Sequence, residues 1–372
     1  MEFYNNIYIV FCFSLLIVFT KQRLLELKIL QLWCFFFAIV GGFRWHIGGD
    51  FDQGIAIFEY VKWSDCLHFI EPGSSTSVEP LYSMIHMIIK ATFGKYHFVM
   101  FIICSFLQFS YYRMCKNLSP QHPMLLYALF MVGVRTIFPV RAGFALAFIF
   151  WAYIYLSKGN TRAFIIMSLL ALGIHNMSLM LIPVYIFYRL NYSIKLWQAL
   201  GIFIVCIVAG NLFQSYFTIL AFLLGGDIGT KVQTYSEWET EASDGGKSLF
   251  TLLSNAIYII MFYIIGIRNK LQTDRWYNTL MAAALLSIGI KVVFADGMAD
   301  LVRLIDPIAP CLIILQGIAF IEFWEDKHFK LFARLLFIVL IFKNLSAYLN
   351  SPLLLNECIP YKSIFDYNIS LF

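Results

Sequence analysis

Charge is what this chain has least of. Asp, Glu, Lys and Arg make up 13% of its 372 residues, about half the share found in soluble domains, which excludes an ordinary water-soluble fold. Alternating strands of about ten residues are missing too, which excludes an outer-membrane barrel. No basic region precedes the first apolar stretch at 4–20. Glu2 stands there instead and no small-residue cleavage site follows, so the stretch reads as a first span rather than a leader. The eight cysteines show no metal-ligand spacing and most lie within apolar runs, where they act as small core residues. Cys66 and Cys358 fall outside the spans, but spacing alone gives no geometry for a disulfide between them. No phosphate-cradling glycine loop, dinucleotide fingerprint or nucleophile elbow occurs in a supporting context. There is no repeat of fixed period and no inverted symmetry of the kind found in secondary transporters. Nothing calls for a metal, a cofactor or a nucleic-acid partner.

What is present is apolar. Hydrophobic residues make up 60% of the chain and its mean hydropathy is +0.76. Apolar stretches approach the roughly 17 to 25 residues that cross a bilayer as a helix. They fall at 4–20, 29–43, 97–112, 122–138, 141–157, 163–175, 177–190, 196–214, 249–267, 276–294, 304–321 and 331–349. The expectation is an all-α polytopic membrane protein, a single integral membrane domain over 1–372 with about 11–12 transmembrane helices.

Basic residues sort to one side. Lys21/Arg23/Lys28, Arg113/Lys116, Lys158/Arg162, Arg189/Lys195, Arg268/Lys270/Arg275 and Lys327/Lys330 each occupy a short hinge, and the positive-inside rule puts those hinges in the cytoplasm. Both termini then lie outside, together with 44–96, 135–141, 225–247, 295–303 and 350–372. Parity forbids Leu81 to Phe93 from being a full span, because it would carry Arg113 and Lys116 outside. That segment is expected to be a re-entrant or interfacial helix. In 163–190, Gly173-Ile174-His175-Asn176 sits at the midpoint and predicts a broken or tightly turned helix pair, acceptable where the open backbone lines a cavity or is packed in protein.

The outer segments hold the residues with chemistry. Positive-inside bias depletes arginine from outer span ends, so Arg44, Arg135, Arg141 and Arg303 stand out. A guanidinium fork suits phosphate oxygens; an interfacial anchor or a structural ion pair is the plainer reading of each. Arg141 has the added support of standing in the first turn of a span, where helix amides favour anions. Asp50, Asp52 and Glu79 are candidates for a proton acceptor or for orienting a hydroxyl, and spacing does not rank them. His175 lies deep in an apolar stretch without a second ligand at metal spacing. It is either a proton or hydrogen-bond partner of substrate or a satisfied core histidine. The outer loop 225–247 is rich in Gly, Ser and acidic residues and carries Lys231, Tyr235 and Trp238, a composition suited to a mobile lid or a docking loop.

The order of these motifs resembles the EpsG-like family, which includes surface-polysaccharide polymerases of the O-antigen polymerase (Wzy) type. The matching residues are Arg44 with Gly49-Asp50, Glu79-Pro80-Leu81-Tyr82, Arg141-Ala142-Gly143-Phe144-Ala145-Leu146-Ala147, His175 with Ser178, Lys231 and Tyr235, Arg303, and Pro360-Tyr361-Lys362. Phe51 stands where the family tends to have Tyr, and Pro139-Val140 where Gln or Asn is more usual near the arginine.

The resemblance implies a glycosyltransferase of GT-C-like architecture whose first outer loop shapes the active site. Such an enzyme uses undecaprenyl diphosphate-linked oligosaccharide at the outer, periplasmic face of the bacterial cytoplasmic (inner) membrane. On that reading Arg141, Arg135 and Arg303 clamp the donor diphosphate. Arg44 holds the carboxylate or a second phosphate, Asp50 or Glu79 orients or deprotonates the acceptor, and His175 contacts phosphate or supports Arg141. Membrane lipids, a flippase and a chain-length regulator are the expected partners. A flippase or transporter and an O-antigen ligase are the alternatives. The first would spread charge along a central path, and the second would carry a larger late outer loop.

Overall fold

A computed structural model describes residues 2–20, 22–48, 51–66, 78–133, 140–224, 249–294, 303–349 and 361–367. Regular structure among them is helical, joined by short 3-10 turns and one isolated bridge between Arg44 and Ser363. The protein is an all-α polytopic membrane protein. In chain order the helices are α1 (Glu2–Ser14), α2 (Arg23–Gly42), α3 (Phe51–Tyr60), α4 (Pro80–Thr92), α5 (Tyr96–Leu118), α6 (Pro123–Gly133) and α7 (Arg141–Ser157). They continue as α8 (Thr161–Leu172), α9 (Leu181–Leu190), α10 (Leu196–Leu224), α11 (Leu249–Arg268), α12 (Arg275–Phe294), α13 (Ala309–Glu325) and α14 (Lys330–Leu349). Among the described residues, four stretches, Arg23–Gly42, Tyr96–Leu118, Thr251–Arg268 and Arg275–Phe294, are long and apolar enough to cross a bilayer. Several of the remaining helices are shorter and equally apolar. The chain clusters into two compact units, 1–179 with 323–372, and 180–322.

In the first unit α5 is the central post, with α2 and α7 packed along it. α2 runs antiparallel to α5: the Gln31 amide donates to the Tyr112 hydroxyl at one end, and Phe43 stacks on Phe101 at the other. α7 runs parallel to α5. Phe148 meets Phe106, the Trp151 indole donates to Ser110, and Lys158 donates to Asn117. These two registers set Arg44, just past α2, and Arg141, at the start of α7, at about the same depth of the bundle. Lys158-Gly159-Asn160 then turns the chain tightly into α8. Gly159 takes the left-handed φ of 74° that only glycine adopts at little cost, and the Asn160 side chain caps α8 by accepting from the Ala163 amide at 3.1 Å.

The segment between α2 and α5 is not loop throughout. α3 forms there because Phe51, Gly54 and Phe58 fall on one face. Gly54 allows the Tyr96 hydroxyl to lie where a Cβ would be. α4 starts beside α7 and ends at the Gly94-Lys95 turn that opens α5. Both its ends therefore belong to one end of the bundle, as an interfacial helix requires. Pro80 opens it at a position where the missing N–H costs nothing, and its inner face of Tyr82, Ser83, His86 and Ile89 is buried. Beyond α8 the helix breaks at Gly173-Ile174-His175 and resumes through a 3-10 turn, Asn176–Met180.

The chain ends of the first unit meet at the same place. Tyr4 of α1 packs edge-on against Tyr361, whose hydroxyl donates to the Val40 carbonyl near the end of α2 at 2.9 Å. Segment 361–367 then pairs backbone to backbone with 43–45.

The second unit packs α12 against α9 and α10. Glycines allow the close approach that helices in lipid favour. A Cβ on Gly210 would lie 2.8 Å from the Val292 carbonyl oxygen, and one on Gly266 would strike the Tyr277 ring at 2.9 Å.

Candidate functional site

The polar centre of the first unit is built where α4, α7 and the broken end of α8 converge. Glu79, immediately before α4, is buried, its side chain only 4% exposed. Its Oε2 accepts from Arg141 Nη1 at 3.2 Å, and its Oε1 accepts from the backbone N–H of Asn176 at 3.1 Å. The α4 backbone adds a third tie, because the Leu81 N–H donates to the Gly173 carbonyl at 2.9 Å. That carbonyl is available because α8 stops there, leaving its last C=O groups without helical partners. The interruption expected at 173–176 is therefore packed in protein, and its open backbone groups bind Glu79 and Leu81. Gly173 permits the approach: a Cβ there would lie 3.0 Å from the Leu81 Cβ.

Arg141 differs from Glu79 in one respect that matters for chemistry. Its side chain is 34% exposed, so guanidinium donors remain for a ligand after Nη1 has met Glu79. It also stands at the first position of α7, where unpaired amides and the helix dipole favour an anion. His175 immediately precedes Asn176, whose N–H meets Glu79. Its Nδ1 accepts from the Met177 N–H at 3.2 Å, which places the ring's other nitrogen as the donor.

Arg44 occupies a different environment. It is fully buried, with Nη1 donating to the Gly41 carbonyl at 3.2 Å and lying 3.9 Å from the Cys104 Sγ. The Phe51 ring lies 5.9 Å from its guanidinium carbon. Segment 361–367 closes over it: Trp45 N–H donates to the Lys362 carbonyl at 3.1 Å and Ile364 N–H to the Phe43 carbonyl at 3.0 Å. Burial pushes the Tyr361 hydroxyl up to about 12, although the nearby Arg44 charge acts in the opposite direction. Asp366 locks the far side of the strap, and its carboxyl is held below the usual range by bonds from the Ser363 N–H and hydroxyl.

The carboxylates of the segment between α2 and α5, which spacing does not rank, separate by environment. Asp52 is exposed and pairs with His46 Nδ1 at 2.5 Å. Glu79 is enclosed with Arg141. Asp50, Arg135, Lys231 and Tyr235 lie outside the described residues, as does the side chain of Arg303, whose backbone opens the short 3-10 turn Arg303–Ile305. Cys358 and loop 225–247 lie outside them too. Among the described residues no group of three or more His, Cys, Asp or Glu is placed to hold a metal ion. The contributors that sequence reading missed are main-chain groups, the Asn176 N–H and the Gly173 C=O. The glycine at the break was the available signal for them.

The fold and this cluster define a class: a helical membrane protein that gathers a buried carboxylate, a part-exposed arginine and a helix N-terminus at one end of its bundle. The chain belongs to the EpsG family, whose model matches residues 27–363. Membership associates it with polysaccharide polymerases of glycosyltransferase type. The matched region takes in Arg44, Glu79, Arg141, His175 and the start of the 361–367 strap. No curated protein and no solved structure matches the chain.

Proposed function

We propose that this protein is a surface-polysaccharide polymerase of the O-antigen type. It transfers a growing glycan from undecaprenyl diphosphate to the non-reducing end of a lipid-linked repeat unit, at the outer face of the bacterial cytoplasmic membrane. The observation that carries this reading is Arg141: a part-exposed guanidinium at the first position of α7, braced by a buried carboxylate, in a chain of the EpsG family. The orientation rests on charge. Arg113, Lys116 and Lys158 lie at the far end of α5 and α7 from Arg141, and basic residues mark the cytoplasmic end.

In the reaction, the acceptor sugar hydroxyl attacks the anomeric carbon of the donor glycan. The bond from that carbon to the phosphate oxygen breaks, and undecaprenyl diphosphate leaves with the electron pair. The hydroxyl proton passes to a carboxylate, for which Asp50 is the candidate once Glu79 is engaged with Arg141 and Asp52 with His46. Negative charge grows on the leaving diphosphate as the bond breaks, so donors aimed at it lower the barrier selectively. Arg141 supplies such donors, and Arg135 and Arg303 are proposed to share the load. His175, through its donor nitrogen, is proposed to reach phosphate or sugar oxygen. Arg44, enclosed by the strap, holds α2 and 361–367 together at the rim of the site.

The test is reconstitution of the purified protein in vesicles with lipid-linked repeat units. A ladder of polymer is expected, and Arg141→Ala is expected to abolish it while the protein remains folded and in the membrane. Transfer to lipid A core would make the protein a ligase. Movement of the lipid-linked unit without new glycosidic bonds would make it a flippase. Normal ladders from Arg141→Ala would remove the site assignment.

A further inference from the structure

We infer that Glu79 is a positioning residue rather than the proton acceptor. It holds Arg141 in place for a lipid-linked diphosphate, and is itself held by the exposed main chain at the break after α8. The inference rests on the polymerase reading and sharpens it, because it separates two roles that the sequence leaves joined.

A proton acceptor needs a lone pair facing the substrate. Each Glu79 oxygen already accepts one bond, Oε2 from the Arg141 guanidinium and Oε1 from the Asn176 N–H, and the side chain is only 4% exposed, so its remaining lone pairs face the protein interior. A carboxylate that accepts from a cation and from a backbone amide is restrained at both ends. An arginine side chain free at the rim would lose several rotatable bonds on binding phosphate, and prior restraint removes part of that entropy cost. The restraint reaches back into the backbone: Leu81 N–H on Gly173 C=O fixes α4 against the break, so Glu79 cannot swing away with its own helix. Substrate oxygens meet the exposed third of Arg141, while the buried carboxylate stays behind it.

The roles give opposite kinetic signatures. Loss of a base lowers kcat and removes the limb of the pH–rate profile that reports it. Loss of a brace weakens diphosphate binding and lowers kcat to the extent that Arg141 acts on the leaving group, but it leaves that limb in place. Glu79→Gln is the discriminating variant. Its amide has nearly the shape of the carboxylate but offers one acceptor where two donors point at it, so either Arg141 or the Asn176 N–H is left facing an NH2 group.

The experiment uses the full chain in vesicles with lipid-linked repeat units, comparing Glu79→Gln, Arg141→Lys and the double variant. Binding of undecaprenyl diphosphate is measured separately without turnover. The inference expects KM and the dissociation constant to rise about tenfold in each single variant, with the acidic limb retained. The double variant should be little worse than either single one, because the two side chains act as one unit. A hundredfold fall in kcat with unchanged KM and loss of the acidic limb in Glu79→Gln overturns it, as does wild-type behaviour. If the wild type forms no polymer, the polymerase reading fails. The binding measurement then decides this inference alone: coupled loss of diphosphate binding sustains it, and independent or absent losses overturn it. Glu79→Asp keeps the charge and shortens the reach, and serves as the folded comparison if Glu79→Gln does not assemble; it is expected to show the same binding loss with the limb intact.

Discussion

Arg44 and Ser363 form an antiparallel bridge between the end of α2 and a segment near the end of the chain. The same segment sends the Tyr361 hydroxyl to Val40, a partner 321 positions earlier. The contact does more than close a loop, because Ile364 is fully buried in it and the Arg44 guanidinium is enclosed beneath it. Two backbone bonds, the Tyr361 hydroxyl bond to Val40, ring contacts from Tyr361 and Phe365, and the buried Ile364 hold the strap. Ile364→Ala is expected to loosen it by about 2 kcal/mol or more. In a single-cysteine background, Cys104, fully enclosed beside Arg44, should become open to alkylation in that variant and in a chain ending at 360. Unchanged protection of Cys104 in both would show that the strap does not cover this arginine.

Gly173 is the second position where one atom decides the outcome. Its φ of −64° suits any residue, so the backbone alone does not require glycine. The requirement comes from Leu81, whose Cβ would sit 3.0 Å from a new Cβ and cannot retreat while its own N–H is bonded to the Gly173 carbonyl. Gly173→Ala is expected to part α4 from the break at a cost of about 1–3 kcal/mol. Polymer synthesis should fall with it as Glu79 loses the Asn176 amide. Thermal unfolding in detergent and ladder length measure the two effects; a stability gain, as alanine gives in an open helix, would refute the contact.

Much of this arrangement was legible in the chain, and what was not has physical causes. The expected span at 141–157 coincides with α7, the non-crossing helix expected at Leu81 to Phe93 is α4, and the break falls at Gly173-Ile174-His175. Apolar length and basic hinges carry that information because the bilayer imposes them. α2 begins at Arg23, earlier than the expected 29, because hydropathy stops at Lys28 while the hydrogen-bonded helix continues into the hinge. α3 leaves little trace in the sequence, because its buried stripe is only Phe51, Gly54 and Phe58, too short to lift a window average. The sequence also put Arg44 and Arg141 in one category. Their exposures differ because the strap over Arg44 comes from the other end of the chain, a contact that no local pattern encodes.

His86 gives a pH dependence with a definite sign. It sits on the buried face of α4 with its ring 4.4 Å from that of Tyr82 and about 6 Å from those of Phe58 and Tyr96. Lys90, one turn on, has its ammonium 6.0 Å from the Phe58 ring. Burial pushes the His86 imidazole down from 6.5 to about 3. The folded protein therefore holds it neutral while the unfolded chain takes a proton below 6.5. Stability from this residue is complete above that pH and is lost as pH falls toward 3, at up to about 1.4 kcal/mol per unit. His86→Phe keeps a ring and removes the titration. The variant should lose less stability than the wild type between pH 7.5 and 5, read by denaturant midpoints. Equal losses would mean that His86 is not protonated on unfolding.

The last prediction concerns the opposite end of α2, about 30 Å from Arg44 by helix rise. Glu26 there is fully buried, and its Oε1 lies 3.1 Å from His122 Nδ1. The His122 carbonyl in turn accepts from the Ser119 hydroxyl at 2.8 Å. The pair pins the first turn of α2 to the entry of α6. Removing one partner strands the other in a low-dielectric setting, whereas removing both leaves only packing to be satisfied. Glu26→Leu alone is expected to destabilise by about 1–3 kcal/mol, and adding His122→Leu should restore most of that loss. Ladder synthesis per folded molecule should stay at the wild-type level throughout, because the pair stands at the end of α2 away from Arg44 and Arg141. If the double variant is as unstable as the sum of the singles, the two side chains are not a pair. If polymer synthesis falls while stability holds, Glu26 has a part in turnover that its position at the far end of the bundle does not explain.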